Sequence, residues 1–144
     1  MSPSLQSYFD DYAAHHQTSG NQLCHSIGIP LIVFSTVALL GQVPLFAVGG
    51  YTVTLAEVVI AAATAYYLTL DIVLAGGMLA FSAASLVLGR TLPWTVSLGV
   101  FVFGWILQFV GHSVYEKRSP AFLKNLTHLL VGPLWILAKA IRRA

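Results

Sequence analysis

The chain has 144 residues, of which 57% are hydrophobic and only 8% are charged, and its formal net charge is +2. Soluble domains carry about 25% charged residues, so this composition, with a mean hydropathy of +0.79, argues against a soluble protein. The length accommodates four or five spans of about 20 residues and no separate soluble catalytic domain. The sequence therefore predicts an all-α integral membrane helical bundle, in which four to five transmembrane helices follow a short N-terminal amphipathic helix.

Charge and cysteine content narrow the functional classes further. Seven Lys and Arg residues against five Asp and Glu residues, without basic clustering, argue against nucleic-acid binding. Cys24 is the only cysteine, so the chain forms no internal disulfide. The partners that remain are the lipid bilayer, small molecules and, as an open question, further copies of the chain in an oligomer.

Apolar stretches follow one another along most of the chain. The first predicted span covers residues 26–48, with a break near 41–44, and the next three cover residues 52–70, 72–88 and 92–110. The last stretch, residues 126–141, is short and contains Pro133, so it fits a thin span, a re-entrant helix or an interfacial helix.

These stretches form a single predicted unit. We interpret residues 1–144 as one membrane-embedded domain. It consists of an interfacial helix over 1–20, a four-span core over 21–112, and a loop with an apolar helix over 113–144.

Two groups of polar residues frame the apolar core. The first contains His16, Asn21 and His25, and the second contains Gln108, His112 and Glu116. Four spans between the groups return the chain to the side from which it started, so both groups are expected on one membrane face. The same count places Asp71 and the Tyr66-Tyr67 pair on that face, and Glu57 and Arg90 on the other.

Local spacing defines the geometry that a shared site would need. His16 and His25 are nine residues apart, which places them on opposite faces of a continuous helix at about 100° per residue. The segment 18–21 predicts a break, with Gly20 ending one helix and Asn21 capping the next. His112 and Glu116 are four residues apart and so share a helix face, with Gln108 one turn below.

Histidines in this arrangement indicate a metal site. Imidazoles and carboxylates are ligands that transition metals prefer. Polar groups embedded in a membrane are energetically costly, so their presence usually indicates a function. We therefore predict a metal bound by His16, His25 and His112. His128 is a reserve ligand for which an interfacial position is an alternative, and His15 is interpreted as an interfacial anchor.

Other interpretations of these residues stay open. A haem-binding bundle would use His25 and His112 as axial ligands for electron transfer. A non-enzymatic membrane scaffold or transporter subunit would use the histidines as interfacial anchors, and a zinc hydrolase is a third alternative. Asn21 could be only a cap, Glu116 only a solvated charge, and Gln108 only a hydrogen-bond partner of a neighbouring helix.

Basic residues predict the orientation in the membrane. Lys117, Arg118 and Lys124 lie on the histidine face, whereas Arg90 stands alone on the opposite face. The positive-inside rule then places the histidines towards the cytoplasm.

Motifs at both ends of the chain resemble those of the Mpo1-like family. The N-terminal motif is Tyr12, His16, Asn21 and His25-Ser-Ile-Gly28-Ile-Pro30, followed by Tyr67-Leu-Thr-Leu-Asp71. The C-terminal motif is Gln108-Phe-Val-Gly-His112-Ser-Val-Tyr-Glu116-Lys-Arg-Ser-Pro120-Ala121. The resemblance covers nearly the whole chain. It implies an Fe(II)-dependent dioxygenase of fatty acid α-oxidation, which cleaves the C1–C2 bond of a 2-hydroxy fatty acid with O2 and leaves a fatty acid one carbon shorter.

The resemblance also implies roles for individual residues. His16, His25 and His112 correspond to the family's essential histidines and would bind Fe(II), with His128 or Glu116 as a further ligand and Glu116 counted among the catalytic residues. His128 departs from the family pattern, which has Gln there.

Further expectations follow from this hypothesis. Asn21, Asp71 and Gln108 would orient the ligands, and Lys117, Arg118 and Lys124 would attract the substrate carboxylate. The acyl chain would lie between the first and fourth spans. The short chain suggests a bacterial member of the family, located in the inner membrane with its site facing the cytoplasm.

Overall fold

The computed structural model describes residues 2–14, 16–116 and 127–141, without the side chains of residues 116, 127 and 128. Within these residues the helices are α1 Pro3–Ala14, α2 Ser19–Leu40, α3 Leu55–Leu68, α4 Ile72–Arg90, α5 Trp94–Val110 and α6 Thr127–Ala140. A hairpin of β1 Pro44–Val48 and β2 Tyr51–Thr54 joins α2 to α3, and a π-helical turn, Gly111–Glu116, continues α5. The predicted all-α bundle is confirmed, with one small hairpin added to it.

Three of the described helices are long and apolar enough to cross a membrane. They are Ser19–Leu40 with 22 residues, Ile72–Arg90 with 19, and Trp94–Tyr115 with 22. The apolar helices Leu55–Leu68 and Leu129–Ala140 are shorter than the roughly 20 residues that a span needs. The chain is therefore a membrane protein. The sequence predicted four to five spans because it included these two shorter helices.

The hairpin corrects the predicted first span, which extended to residue 48. Helix α2 ends at Leu40, and β1 pairs with β2 in antiparallel register from Pro44 opposite Thr54 to Val48 opposite Tyr51. Gly49 and Gly50 form the turn with φ of +55° and +81°, the positive values that a tight two-residue hairpin requires. Pro44 cannot continue an α-helix, and Gly49 and Gly50 allow a tight turn. This segment therefore forms a hairpin although its composition is apolar.

The N-terminal helix α1 is amphipathic, as predicted. Leu5, Phe9 and Tyr12 are buried at helical spacing on one face, while Asp10 and Asp11 are exposed on the other. The buried face belongs to a core that includes Leu134 and three further buried side chains of α6, Val131, Trp135 and Ala138. Helix α1 is therefore held against α6 by hydrophobic packing.

Helices α2 and α5 cross at two glycines. A Cβ atom on Gly104 would lie 3.1 Å from the Gly28 carbonyl oxygen, and one on Gly28 would lie 2.7 Å from Gln108 Nε2. Side chains at these positions would force the helices apart, so the glycines permit the close backbone approach that is typical of membrane helix pairs. The crossing brings the start of α2 beside the end of α5.

An ion-pair cluster ties together the opposite end of the bundle. Arg90 Nη2 lies 2.6 Å from Glu57 Oε1, and Arg90 Nη1 donates to the Tyr51 hydroxyl at 2.9 Å. Glu57 also accepts from the Thr54 amide and hydroxyl, which closes a capping box at the start of α3. The cluster joins the hairpin, α3 and α4.

Candidate metal centre

A break between α1 and α2 allows two distant histidines to meet. Helix α1 ends at Ala14, and α2 begins at Ser19 with Thr18 as its N-cap, because the Thr18 hydroxyl accepts from the Asn21 amide at 3.2 Å. The predicted break is present, but the prediction that Asn21 caps α2 was wrong. The backbone N–H of Asn21 already donates to Thr18, which is therefore the cap. Gly20 lies inside α2, close to the Tyr115 ring, and does not end α1.

Three buried imidazoles converge at this end of the bundle. His16 Nε2 and His112 Nε2 each lie 3.1 Å from His25 Nε2. One nitrogen from each ring lies within 4.8 Å of the others, and each residue is only 2% exposed. We call His16, His25 and His112 the histidine cluster.

Main-chain carbonyls fix the tautomers of two of these rings. His16 Nδ1 donates to the Tyr12 carbonyl oxygen at 2.6 Å, and His25 Nδ1 donates to the Asn21 carbonyl oxygen at 3.0 Å. Because a carbonyl only accepts, each Nδ1 carries the proton, and each neutral ring keeps its lone pair on Nε2. Two lone pairs then face each other at 3.1 Å, which is unfavourable unless a cation lies between them.

A metal ion satisfies this arrangement. Nitrogens that bind one metal at about 2.0–2.1 Å lie roughly 3 Å apart when they are neighbouring ligands, which agrees with the two separations of 3.1 Å. Ring orientation by a hydrogen bond from the other nitrogen is typical of metal-bound histidines. Neutral imidazoles suit Zn, Cu, Fe and Ni, so the residues fit a transition metal without selecting one.

The third histidine is positioned by the π-helical turn. Such turns widen a helix locally and occur frequently at functional sites. This one begins at Gly111, next to His112, and a Cβ atom on Gly111 would overlap Asn21 Oδ1. The absence of a side chain at Gly111 thus lets the Asn21 side-chain amide pack against the backbone next to His112.

Tyr12 and Trp135 complete the wall behind the histidine cluster. The Tyr12 ring stacks on His16 with centroids 3.9 Å apart and an interplanar angle of 10°, and it contacts Trp135 at 5.1 Å. Burial raises the pKa of the Tyr12 phenol above its usual range, so the phenol stays neutral. Sequence reasoning assigned no role to either residue, although Tyr12 is one helical turn before His16.

A cavity of about 70 Å³ opens beside the imidazoles, and we call it the histidine cavity. Besides the three histidines, it is lined by Tyr12, Ile29, Ile32, Val33, Trp105, Gln108, Leu129, Gly132 and Pro133. Gln108 is 4% exposed, and its Nε2 has no hydrogen-bond partner among the described residues. A buried donor therefore borders an apolar space next to the metal ligands.

The remaining candidate residues have other positions. Asp71 is buried and caps α4, because its Oδ1 accepts from the Val73 and Leu74 amides at 2.9 and 3.0 Å. Asn21 contributes its main-chain carbonyl to His25, as described above. Lys117, Arg118, Lys124 and His15 lie outside the described residues, as do the side chains of Glu116 and His128.

The chain is similar to proteins of known activity. A family model described as "2-hydroxy-palmitic acid dioxygenase Mpo1-like" matches residues 2–144. The 2-hydroxy-palmitic acid dioxygenase MPO1 of Saccharomyces cerevisiae is 36% identical over 138 residues, which cover 92% of this chain and 77% of that protein. No solved structure matches the chain.

Proposed function

This chain belongs to the Mpo1-like family, and from that premise we propose that it is an Fe(II)-dependent dioxygenase of 2-hydroxy fatty acids. It would use O2 to cleave the C1–C2 bond and release a fatty acid one carbon shorter. The observation that carries the proposal is the histidine cluster, in which three buried nitrogens lie within 4.8 Å of one another beside an apolar cavity.

The histidine cluster supplies the metal ligands in this proposal. His16, His25 and His112 would hold the ion through Nε2, and the Tyr12 and Asn21 carbonyls would keep two of the rings in the required tautomer. Iron bound by three imidazoles supplies redox chemistry with O2 and open positions for oxygen ligands. The apolar walls exclude water from the reacting carbon atoms.

Gln108 is the residue that we assign to the polar end of the substrate. Its Nε2 borders the histidine cavity, and a 2-hydroxycarboxylate offers three oxygen atoms that can accept a hydrogen bond from it. Such a bond to a charged acceptor is among the stronger ones in proteins. It would hold the C1 and C2 atoms next to the imidazoles.

Several finer assignments remain part of the proposal. Glu116 or His128 would add a ligand or a proton acceptor, and Asp71 would support the site through the start of α4. Lys117, Arg118 and Lys124 would attract the carboxylate from solution. We also propose that the histidine face lies on the cytoplasmic side of a bacterial inner membrane.

The identity of the bound metal and the consumption of O2 distinguish this proposal from the alternative functions. A haem-binding bundle is disfavoured because His25 Nε2 and His112 Nε2 lie only 3.1 Å apart, which leaves no room for a porphyrin plane between two axial ligands. A zinc hydrolase would use the same three imidazoles, and a membrane scaffold would need no metal. Only the dioxygenase consumes O2 in the presence of a 2-hydroxy acid.

The decisive experiment measures metal and oxygen consumption together. Protein purified anaerobically is analysed for metals by mass spectrometry, and O2 uptake is followed with 2-hydroxypalmitate and with palmitate. We expect near-stoichiometric iron and uptake with the 2-hydroxy acid only. His16→Ala, His25→Ala and His112→Ala should each lose both properties, because removal of one ligand leaves the ion under-coordinated.

Ser26→Ala serves as the control, since Ser26 is exposed and bonds only the Gln22 carbonyl in the described structure. It should keep both iron and uptake. Iron that survives all three histidine substitutions would contradict the proposal, and stoichiometric zinc without O2 uptake would favour the hydrolase.

A further inference from the structure

A second apolar space lies behind the histidine cavity. It is a cleft of about 160 Å³ between α2, α4 and α6, which we call the rear cleft. Met78 and Phe81 contribute from α4, and Leu137 and Ala140 contribute from α6. The polar histidine end is thus followed by an apolar space formed by three helices.

The two spaces are adjacent. Ile29, Val33 and Pro133 line both the histidine cavity and the rear cleft. Gly132, which precedes Pro133 and lines the histidine cavity, has no side chain to fill the space next to this junction. A chain of methylene groups that starts at the imidazoles can therefore continue between α2 and α6.

The rear cleft leads away from the histidines. Along α2, Ile29 and Val33 lie four and eight residues beyond His25, which corresponds to about 6 and 12 Å at 1.5 Å per residue. Along α6, Ala140 lies seven residues beyond Pro133, or about 10 Å. The far end of the cleft along this path is formed by Phe81 and Ala140, which are both exposed at the surface of the bundle.

An alternative path exists on α5. A shallow hollow lined by Phe101, Val102, Ile106 and neighbouring residues shares only Trp105 with the histidine cavity. All its lining residues come from one helix, so a bound chain would be covered on one side only. The rear cleft would contact a chain from three helices, and it shares three residues with the histidine cavity.

We propose that the alkyl chain of a 2-hydroxy fatty acid lies in the rear cleft, and that Phe81 and Ala140 set the preferred chain length. This inference rests on the proposed function and specifies its substrate site. It places the chain between α2, α4 and α6, whereas the sequence had suggested the space between the first and fourth spans.

Photo-crosslinking tests the position of the chain without any need for turnover. The probe is 2-hydroxypalmitate with a diazirine at its methyl end, applied to the purified protein and mapped by peptide mass spectrometry. We expect adducts on α4 and α6 near Phe81 and Ala140 that excess 2-hydroxypalmitate suppresses. Suppressible adducts on α5 would overturn the inference, as would adducts distributed over all the helices.

Chain-length preference provides the second measurement. Ala140→Phe should fill the far end and lower kcat/KM for 2-hydroxystearate relative to 2-hydroxylaurate, by about 4-fold for each methylene displaced. Val102→Phe adds a ring to the α5 hollow and is the matched control, with an unchanged profile expected. The reverse pattern would overturn the inference.

Different results would refute the proposed dioxygenase activity and the proposed position of the alkyl chain. Adducts at the rear cleft in a protein that consumes no O2 would refute the dioxygenase while leaving a fatty acid site in place. O2 uptake with 2-hydroxypalmitate but adducts on α5 would refute only the rear cleft as the binding site.

Discussion

Two histidines obtain their tautomer from hydrogen bonds to the main chain. His16 and His25 each donate Nδ1–H to the carbonyl four residues earlier, that of Tyr12 and that of Asn21. A carbonyl is present whatever the side chain, so substitutions at these two positions preserve the tautomer as long as the local helix survives. The site is therefore sensitive to backbone position more than to the identity of the orienting residues.

Gly111 is one position where the backbone itself is constrained. We expect Gly111→Ala to destabilise the protein by about 1–3 kcal/mol, because the added Cβ would overlap Asn21 Oδ1. Metal content should fall as well, since His112 would be displaced. Thermal unfolding in detergent and metal analysis measure both effects.

Gly99→Ala is the matched control on the same helix. Among the described residues, no atom outside the adjoining backbone of α5 lies within 4 Å of a Cβ built on Gly99, so the substitution should be neutral or stabilise α5 by up to about 1 kcal/mol. Equal behaviour of the two variants would show that the contact with Asn21 does not constrain the site.

Gln108 offers a test of substrate binding. We expect Gln108→Met to keep the metal and to raise KM for 2-hydroxypalmitate about 10- to 100-fold, the loss of one hydrogen bond to a charged group. Ser97→Ala, at another buried polar position on α5, should leave KM unchanged. Loss of metal at an unchanged KM would instead identify Gln108 as a support of the ligands.

At the level of elements, short polar segments determine how the helices start. Thr18, Thr54 and Asp71 precede α2, α3 and α4 and accept hydrogen bonds from, or exchange them with, the first turns. Each cap fixes the point where a helix enters the bundle. The capped ends of α2 and α4 lie at the end of the bundle that contains the histidine cluster.

The sequence predicts that Asp71 orients the metal ligands, and the structure shows that it caps α4. Two substitutions distinguish these functions. Asp71→Ala should lower stability by about 1 kcal/mol through loss of the cap, whereas Asp71→Asn should retain it, since Asn caps helices equally well. Thermal unfolding compares the two variants. Loss of metal in Asp71→Asn would show that the carboxylate charge itself supports the site.

The sequence predicted some elements well and others poorly for identifiable reasons. Hydropathy alone located α4 and α5 to within a few residues, because a long apolar segment has few alternatives. The hairpin was missed because β1 is as apolar as a span and continues the apolar stretch of α2, and only Gly49-Gly50 signals a turn. Hydropathy also extended the second span to residues 52–70, although its first three residues belong to β2.

The site was predicted in outline from the same kind of reasoning. The four spans that hydropathy predicted implied that the two histidine groups share a face. The structure brings His16, His25 and His112 together, although only three described helices have the length of a span. The stacking of Tyr12 and the packing of Asn21 against Gly111 depend on tertiary contacts that leave no periodic signal. The π-helical turn was also not predictable, since a sequence of this kind fits an α-helix equally well.

The whole molecule has two chemically different ends. The histidine cluster lies at one end, and the Arg90, Glu57 and Tyr51 cluster lies at the other. Helix α2, with 22 residues, extends about 33 Å between these regions, which matches the hydrocarbon core of a bilayer, about 30 Å thick. The histidine cluster and the Arg90, Glu57 and Tyr51 cluster are therefore expected at opposite faces of the membrane.

This arrangement predicts labelling from opposite sides of the membrane. In a Cys24→Ala background, Ser113→Cys and Thr52→Cys introduce exposed thiols near the histidine cluster and in the hairpin. An impermeant maleimide applied to intact cells should label Thr52→Cys only, because the histidine face is proposed to be cytoplasmic. Both variants should react after permeabilisation, and labelling of both in intact cells would contradict the topology.

The three imidazoles come from parts of the chain that are far apart in sequence, and this has a consequence for protein turnover in the cell. His25 is separated by nine residues from His16 and by 87 from His112, so a bound ion closes one short and one long loop, as a cross-link would. It would also fasten the end of α1, whose buried face packs against α6. Ions that bind only the folded chain stabilise it by mass action. Metal starvation should therefore shorten the half-life of the protein, and pulse-chase labelling with a chelator would measure how closely its abundance follows the metal supply.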